Sequence, residues 1–274
     1  MDAVKSAILV TGGTGTLGRQ VVAQLRRGRD PIRVLSRRAH EPEPGIEFVT
    51  GDLATGLGVD AAVEGVETIV HCAGSAKGDG DKARHLVRAA ERAGSKHLVF
   101  ISVVGADRVP MEGALDRLMF GYFGSKLSAE RVVMESSLGW TILRATQFYD
   151  LLLIVAQLMT RLPLVPIPAG FQFQPIDSGE VAARMVELAL GPPAGLVPDF
   201  AGPRTYDAAE LLRSYLRLAD KRRLLLRLWL PGKAARAVRE GAILSPDHAV
   251  GRRTWEDFLA DRVGSPQVSN ARNR

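Results

Sequence analysis

The chain has 274 residues, 46% hydrophobic and 24% charged, which is ordinary for a soluble globular protein built as one large α/β domain or a domain with a smaller lobe. Its single cysteine, Cys72, excludes an internal disulfide and suits a reducing, cytoplasmic setting; no apolar run approaches the roughly 18 residues that cross a bilayer, and the first strand follows the N-terminus too closely for a signal peptide. A formal net charge of +6 fits a phosphorylated ligand; with no nucleic-acid module legible, neither nucleic acid nor membrane is expected as a partner.

An apolar run over residues 7–10 reads as a short buried strand. Glycines follow at Gly12, Gly15 and Gly18, with Thr14, Thr16 and Leu17 between them, and apolar residues then recur at helical spacing through Leu25. Strand, glycine turn and helix form the context of a dinucleotide-binding fingerprint. Glycines let the backbone turn tightly and approach a pyrophosphate, and the helix N-terminus presents N–H groups and partial positive charge to the anion. A plain strand-to-helix turn is the alternative use of the same residues.

Strand two, residues 31–35, ends in Ser36, Arg37 and Arg38, about twenty residues past the glycine turn. An acidic residue there would favour NAD; a hydroxyl and two guanidinium groups favour the 2′-phosphate of NADP, since guanidinium pairs bidentately with phosphate. Strand three, residues 46–50, runs into Gly51, Asp52 and Leu53, where Asp52 is also a candidate cap for the next helix. A poor helix at 59–66 precedes strand four at 68–72, which ends in Cys72 and exits through Ala73, Gly74 and Ser75, small enough for ribose and pyrophosphate to cross the backbone. His71 and Cys72 have no partners at metal-ligand spacing, so no metal is expected.

A helix over 81–93 and strand five over 97–102, ending at Ser102, extend the alternation, which predicts a doubly wound parallel sheet of Rossmann type. Tyr122 and Lys126 then fall at i and i+4 of a helix, on one face. A phenol with a pKa near 10 is a poor acid–base group unless its anion is stabilised, which an ammonium one turn away does. Strand six, residues 140–143, exits through Ala145, Thr146, Gln147 and Phe148.

From Asp150 onward the pattern changes. An apolar helix at 151–162 precedes a segment at 163–168 too proline-rich for a central strand. An edge strand at 172–177 leads to a helix capped by Asp177 or Ser178, a short strand is expected at 197–202, and Asp207 is placed to cap the next helix. Lys221, Arg222, Arg223 and Arg227 are interleaved with Leu224, Leu225, Leu226 and Leu228 as on the solvated face of packed elements. The expected division is a Rossmann core at 1–150, a small C-terminal substrate lobe at 151–263 with a strand and helix returning to the core, and a disordered tail at 264–274, with candidate pocket walls from Phe148, Leu152, Val155, Met159, Phe171 and Phe173.

The Thr-Gly-Gly-Thr-Gly-x-Leu-Gly turn resembles the extended and atypical branches of the short-chain dehydrogenase/reductase superfamily. Tyr-x-x-x-Lys-Leu-x-Ala-Glu at Tyr122 and the stretch from Gly139 to Phe148 resemble the NmrA-like, atypical group, with the likeness covering roughly residues 7–260. The resemblance implies that Asp52 stands beside the adenine, that Ala145, Thr146, Gln147 and Phe148 face the nicotinamide, and that Ser102, Tyr122 and Lys126 form a Ser/Tyr/Lys set, with Ser125 a rival for the serine. It also implies an NADPH-dependent oxidoreductase acting on a small carbonyl or quinone-like acceptor. The alternatives are a non-catalytic NADP(H) sensor signalling through a partner protein, and an epimerase or dehydratase that retains its cofactor.

Overall fold

The computed structural model describes residues 6–28, 30–75 and 77–263, so the expected tail at 264–274 lies outside them. In chain order the first half runs β1 (Ala7–Thr11), α1 (Thr16–Leu25), β2 (Ile32–Ser36), β3 (Ile46–Thr50), α2 (Val59–Val63), β4 (Val66–His71) and α3 (Asp79–Ala93). It continues with β5 (His97–Val103), α4 (Ala114–Met134) and β6 (Gly139–Ala145). Beyond these come α5 (Tyr149–Met159), β7 (Leu164–Pro168), β8 (Gln172–Phe173), α6 (Ser178–Leu190), β9 (Gly195–Leu196) and β10 (Tyr206–Asp207). The last elements are α7 (Ala208–Leu218), β11 (Leu224–Leu228), α8 (Lys233–Arg239) and α9 (Trp255–Val263).

The central sheet has seven parallel strands in the order β3-β2-β1-β4-β5-β6-β9. Its strands are apolar on both sides because helices cover both faces, and β5 is buried at every residue. Alternation within the strands divides the core in two. Val10, Val70, Val99 and Leu143 pack with the buried side chains of α1 and α6, while Leu9, Ile69, Leu98 and Ile142 pack with those of α3 and α4. The α1 helix contributes Leu17, Val21, Val22 and Leu25, spaced to one face. Between β1 and β4 the strand order reverses, which opens a crevice at their carboxyl ends, where ligands of such sheets bind.

The capping expectations are met: the Asp177 carboxylate accepts the Gly179 and Glu180 N–H groups, and the Asp207 carboxylate that of Ala209. Several boundaries differ. The helix expected over 59–66 stops at Val63, because Gly65 turns the chain at φ 68° and Val66 opens β4. α3 begins at Asp79 rather than residue 81, and the helix expected over 151–162 is α5, from Tyr149 to Met159. The edge strand at 172–177 shrinks to β8 because Pro175 has no N–H to pair. In place of a strand at 197–202, β9 joins the sheet, and Phe200 and Ala201 make only isolated bridges beyond Pro198. The proline-rich segment is indeed not central; as β7 it pairs in parallel with β11 in a separate two-stranded sheet.

Candidate active site

A cleft of about 450 Å³ occupies the crevice between β1 and β4. Of the residues singled out in the sequence, Gly12, Thr14, Gly15, Ser36, Arg37, Asp52, Leu53, Cys72, Ala73 and Gly74 line it. The glycines have separable roles. Gly12 has φ 69°, and a Cβ there would lie 2.6 Å from the Ala73 nitrogen, so the turn passes directly over the end of β4. A Cβ on Gly18 would fall 2.1 Å from the Gly12 carbonyl oxygen, so this residue seats α1 against the turn. Gly18 and Leu17 are therefore buried supports and do not line the cleft, and neither does the exposed Thr16. Gly15 is the N-cap of α1; no side chain caps the helix, its first turn has no acidic residue, and a Cβ at Gly15 would meet only the Gly12 oxygen, at 3.2 Å. That end is open to an anion.

At the exit of β2, the Ser36 hydroxyl accepts the Arg38 N–H at 3.2 Å and pairs with His40 Nε2 at 2.8 Å. The His40 ring stacks on Phe48 with centroids 4.7 Å apart. Arg37 and Arg38 are exposed, and only Arg37 lines the cleft. Asp52 does not cap the next helix, whose N-cap is Gly58; its carboxylate accepts the Ala54 N–H at 2.9 Å and closes the turn that precedes that helix.

The second group is centred on Lys126, whose ammonium is buried. It donates to the Ile101 carbonyl at 3.3 Å, stands 3.3 Å from an Asp79 carboxylate oxygen, and lies over the rings of Phe100 at 5.0 Å and Tyr122 at 6.0 Å. A Cβ on Gly74 would come within 2.8 Å of Lys126 Nζ, so this group adjoins the cleft wall. Burial pulls the Lys126 pKa down and Asp79 pulls it back up. Burial, then the Asp79 carboxylate, push the Tyr122 phenol up to about 12, although 40% of the residue is exposed. Ser102 is buried, with no hydrogen-bond partner for its hydroxyl, while the Ser125 hydroxyl accepts the Asp79 N–H at 3.1 Å and so helps begin α3.

Sequence reading missed Asp79 and Lys82, while Ser75, at the expected exit of β4, lines the cleft. Lys82 lines the cleft, donates to the Ser75 hydroxyl, and lies 3.4 Å from Asp79. The visible signal was a carboxylate at the start of α3 with a lysine three residues on. Two adjacent residues are inert: desolvation holds the His71 imidazole down to about 3 and pushes the Cys72 thiol up to about 12, so neither a cationic imidazole nor a thiolate is available.

At the exit of β6 the side chains have partners within the protein. Ala145 is buried, the Thr146 hydroxyl accepts the Gly202 N–H, and the Gln147 amide donates to Ile243 and accepts from Gln174. Phe148 packs on the α1–α6 side of the core. None of the four lines the cleft. Of the candidate pocket walls, Leu152, Val155, Met159 and Phe173 line a separate apolar cavity of about 100 Å³ beside Trp255. Among the described residues, no cluster of three or more His, Cys, Asp or Glu could hold a metal ion.

Residues 12–160, more than half the chain, match the NAD(P)H-binding family model. A ceramide reductase of Caulobacter vibrioides is 28% identical over 83% of this chain and 75% of its own length. An NAD(P)H azoreductase of Xenophilus azovorans is 26% identical over 89% of each chain. Among solved structures, an NADPH-dependent quinone oxidoreductase from Escherichia coli, complexed with NADPH, superposes with a TM-score of 0.76 at 18% identity, over 93% of this chain and 99% of its own. With the seven-stranded parallel sheet and its glycine turn, the match over residues 12–160 shows that the chain belongs to the NAD(P)H-binding family.

Proposed function

We propose that the protein is an NADPH-dependent reductase that delivers hydride to a small carbonyl or quinone-like acceptor. The observation that carries this reading is the adjacency of the glycine-turn cleft to the buried Lys126 and its neighbour Tyr122, through Gly74. The residues present fit the dinucleotide: Gly15 leaves the start of α1 open for the pyrophosphate, and Ser36, Arg37 and Arg38 offer a hydroxyl and guanidinium groups to a 2′-phosphate. NADPH, when bound, supplies the hydride.

The chain's own residues handle the proton. A phenol held up to about 12 stays protonated at neutral pH, the form a reduction needs for Tyr122 to donate to the acceptor oxygen. The Lys126 ammonium, 6.0 Å from the ring, then stabilises the phenolate that remains, and Asp79 holds that ammonium in place. The reductase relatives and the NADPH-bound neighbour support this direction of reaction. A second reading, a cofactor-binding sensor without turnover, draws on one observation: the Lys126 charge is already balanced by Asp79.

The test is NADPH oxidation, followed by absorbance, against quinones, aldehydes, ketones and azo dyes, with NADPH and NADH binding measured separately. Wild type is expected to turn over, and Tyr122→Phe to lose about 10²–10⁴ in kcat while binding NADPH normally. NADPH binding with no turnover across the panel favours the sensor reading. Failure to bind either cofactor overturns both.

A further inference from the structure

The C-terminal elements carry an apolar face that the cleft does not use. In the two-stranded sheet, Leu224, Leu226 and Leu228 are paired in register with Leu164, Pro166 and Pro168. Strand alternation puts these six on one side, with Val165, Ile167 and Leu225 on the other, turned into the core. All four outward leucines are exposed, Leu224 at 73%, and Trp229 just beyond the strand is 68% exposed. A second stripe runs along α5, where Leu151, Ile154, Val155 and Leu158 are exposed at i, i+3, i+4 and i+7, continuing to Leu162. Exposed large apolar side chains clustered in this way mark an interaction site.

The two chain stretches that form it carry positive charge only. Residues 151–176 and 221–239 contain no Asp or Glu, and the second stretch holds seven Lys and Arg. Some of these are balanced from elsewhere: Arg227 lies 3.8 Å from Asp207, Lys233 pairs with Glu112, and Arg236 with Glu240. Arg161, Lys221, Arg222 and Arg223 have no carboxylate at ion-pair distance among the described residues. Trp229 carries the Arg239 guanidinium 3.9 Å above its ring, an aromatic–cation pair suited to a headgroup layer.

We propose that this face docks on an anionic lipid surface, with the outward leucines and Trp229 entering the acyl boundary and Arg161, Lys221 and Arg222 meeting lipid phosphates. Long cationic side chains flanking an apolar face are the chemistry such a surface recognises. The contact is peripheral: no described helix is long and apolar enough to cross a membrane. It departs from the sequence-based expectation of no membrane partner and does not depend on the reductase reading.

The experiment is flotation of the full chain with vesicles of phosphatidylcholine alone or mixed with phosphatidylglycerol, in low and high salt, with oligomeric state followed by sedimentation. Wild type is expected to float with the mixed vesicles and less so in high salt. Leu224→Asp/Leu226→Asp and, separately, Lys221→Glu/Arg222→Glu are each expected to lower partitioning at least about tenfold while NADPH binding is kept. The charge-reversal variant decides the matter if the leucine variant fails to fold. The proposal falls if wild type stays in the aqueous fraction with mixed vesicles, or if the folded variants float as well as wild type. A dimer that the leucine variant disperses, without vesicle binding, assigns the face to a second copy and overturns it too.

Discussion

The Lys126 ammonium stands 3.3 Å from the Asp79 carboxylate, and both side chains are buried. Two charges taken out of water need each other: burial alone would drive Lys126 toward its neutral form, and Asp79 opposes this. Asp79→Asn leaves an unbalanced buried ammonium and is expected to cost about 3–5 kcal/mol of stability, read from urea unfolding. Lys126→Met in the same chain should recover a large part of that loss, because it removes the stranded charge. The Tyr122 phenol, raised partly by Asp79, should also titrate lower in Asp79→Asn, seen as an ultraviolet difference against Tyr122→Phe. Equal stability of the single and double variants contradicts the pairing.

The glycine turn separates packing from ligand space. A Cβ on Gly18 collides with backbone at 2.1 Å, where neither partner is a flexible side chain, so Gly18→Ala is expected to lose at least about 2 kcal/mol. Gly15→Ala meets one atom at 3.2 Å, so it should keep nearly wild-type stability and weaken NADPH binding instead. Thermal unfolding and fluorescence titration on the two variants read the two effects. Equal losses of stability in both would show that Gly15 is a packing residue as well.

Much of this organisation was legible because it is local. The apolar run at 97–102 lies within the buried β5, and the caps at Asp177 and Asp207 act within three residues of themselves. What escaped depends on tertiary contact. Asp79 meets Lys126 only because α3 and α4 lie side by side on one face of the sheet, and no spacing encodes that. The Gln147 amide looked free for a ligand, yet it ties β6 to backbone that arrives much later in the chain. The helix over 59–66 overran because the apolar pattern continues through Val66, while the punctuation at Gly65 sets the true end.

Cofactor choice should respond to the exit of β2. Arg37 lines the cleft, and a guanidinium–phosphate contact is worth about 1.5–3 kcal/mol, or roughly tenfold to a hundredfold in affinity. Arg37→Ala is therefore expected to weaken NADPH by that factor and leave NADH nearly unchanged, measured as Kd for each. A parallel loss for both cofactors would remove the 2′-phosphate from Arg37.

Acid stability should carry the signature of His71. The imidazole is wholly buried, paired through Nδ1 with the Thr11 hydroxyl at 2.6 Å, and its Nε2 has no partner. Burial, then Lys126, hold it down to about 3 from an ordinary 6.5. Between those values the unfolded chain binds a proton that the folded chain refuses, so stability falls as pH drops through 6.5 and this loss ends near 3. The slope is at most about 1.4 kcal/mol per pH unit, and the loss from this residue between pH 7 and 5 is about 2 kcal/mol. His71→Leu strands the Thr11 hydroxyl and lowers stability at pH 7, yet it should flatten the fall toward pH 5, because no group remains at that position to protonate in the unfolded chain. Urea unfolding of both proteins at the two pH values checks this, and equal pH dependence would mean that His71 takes up its proton in the folded state.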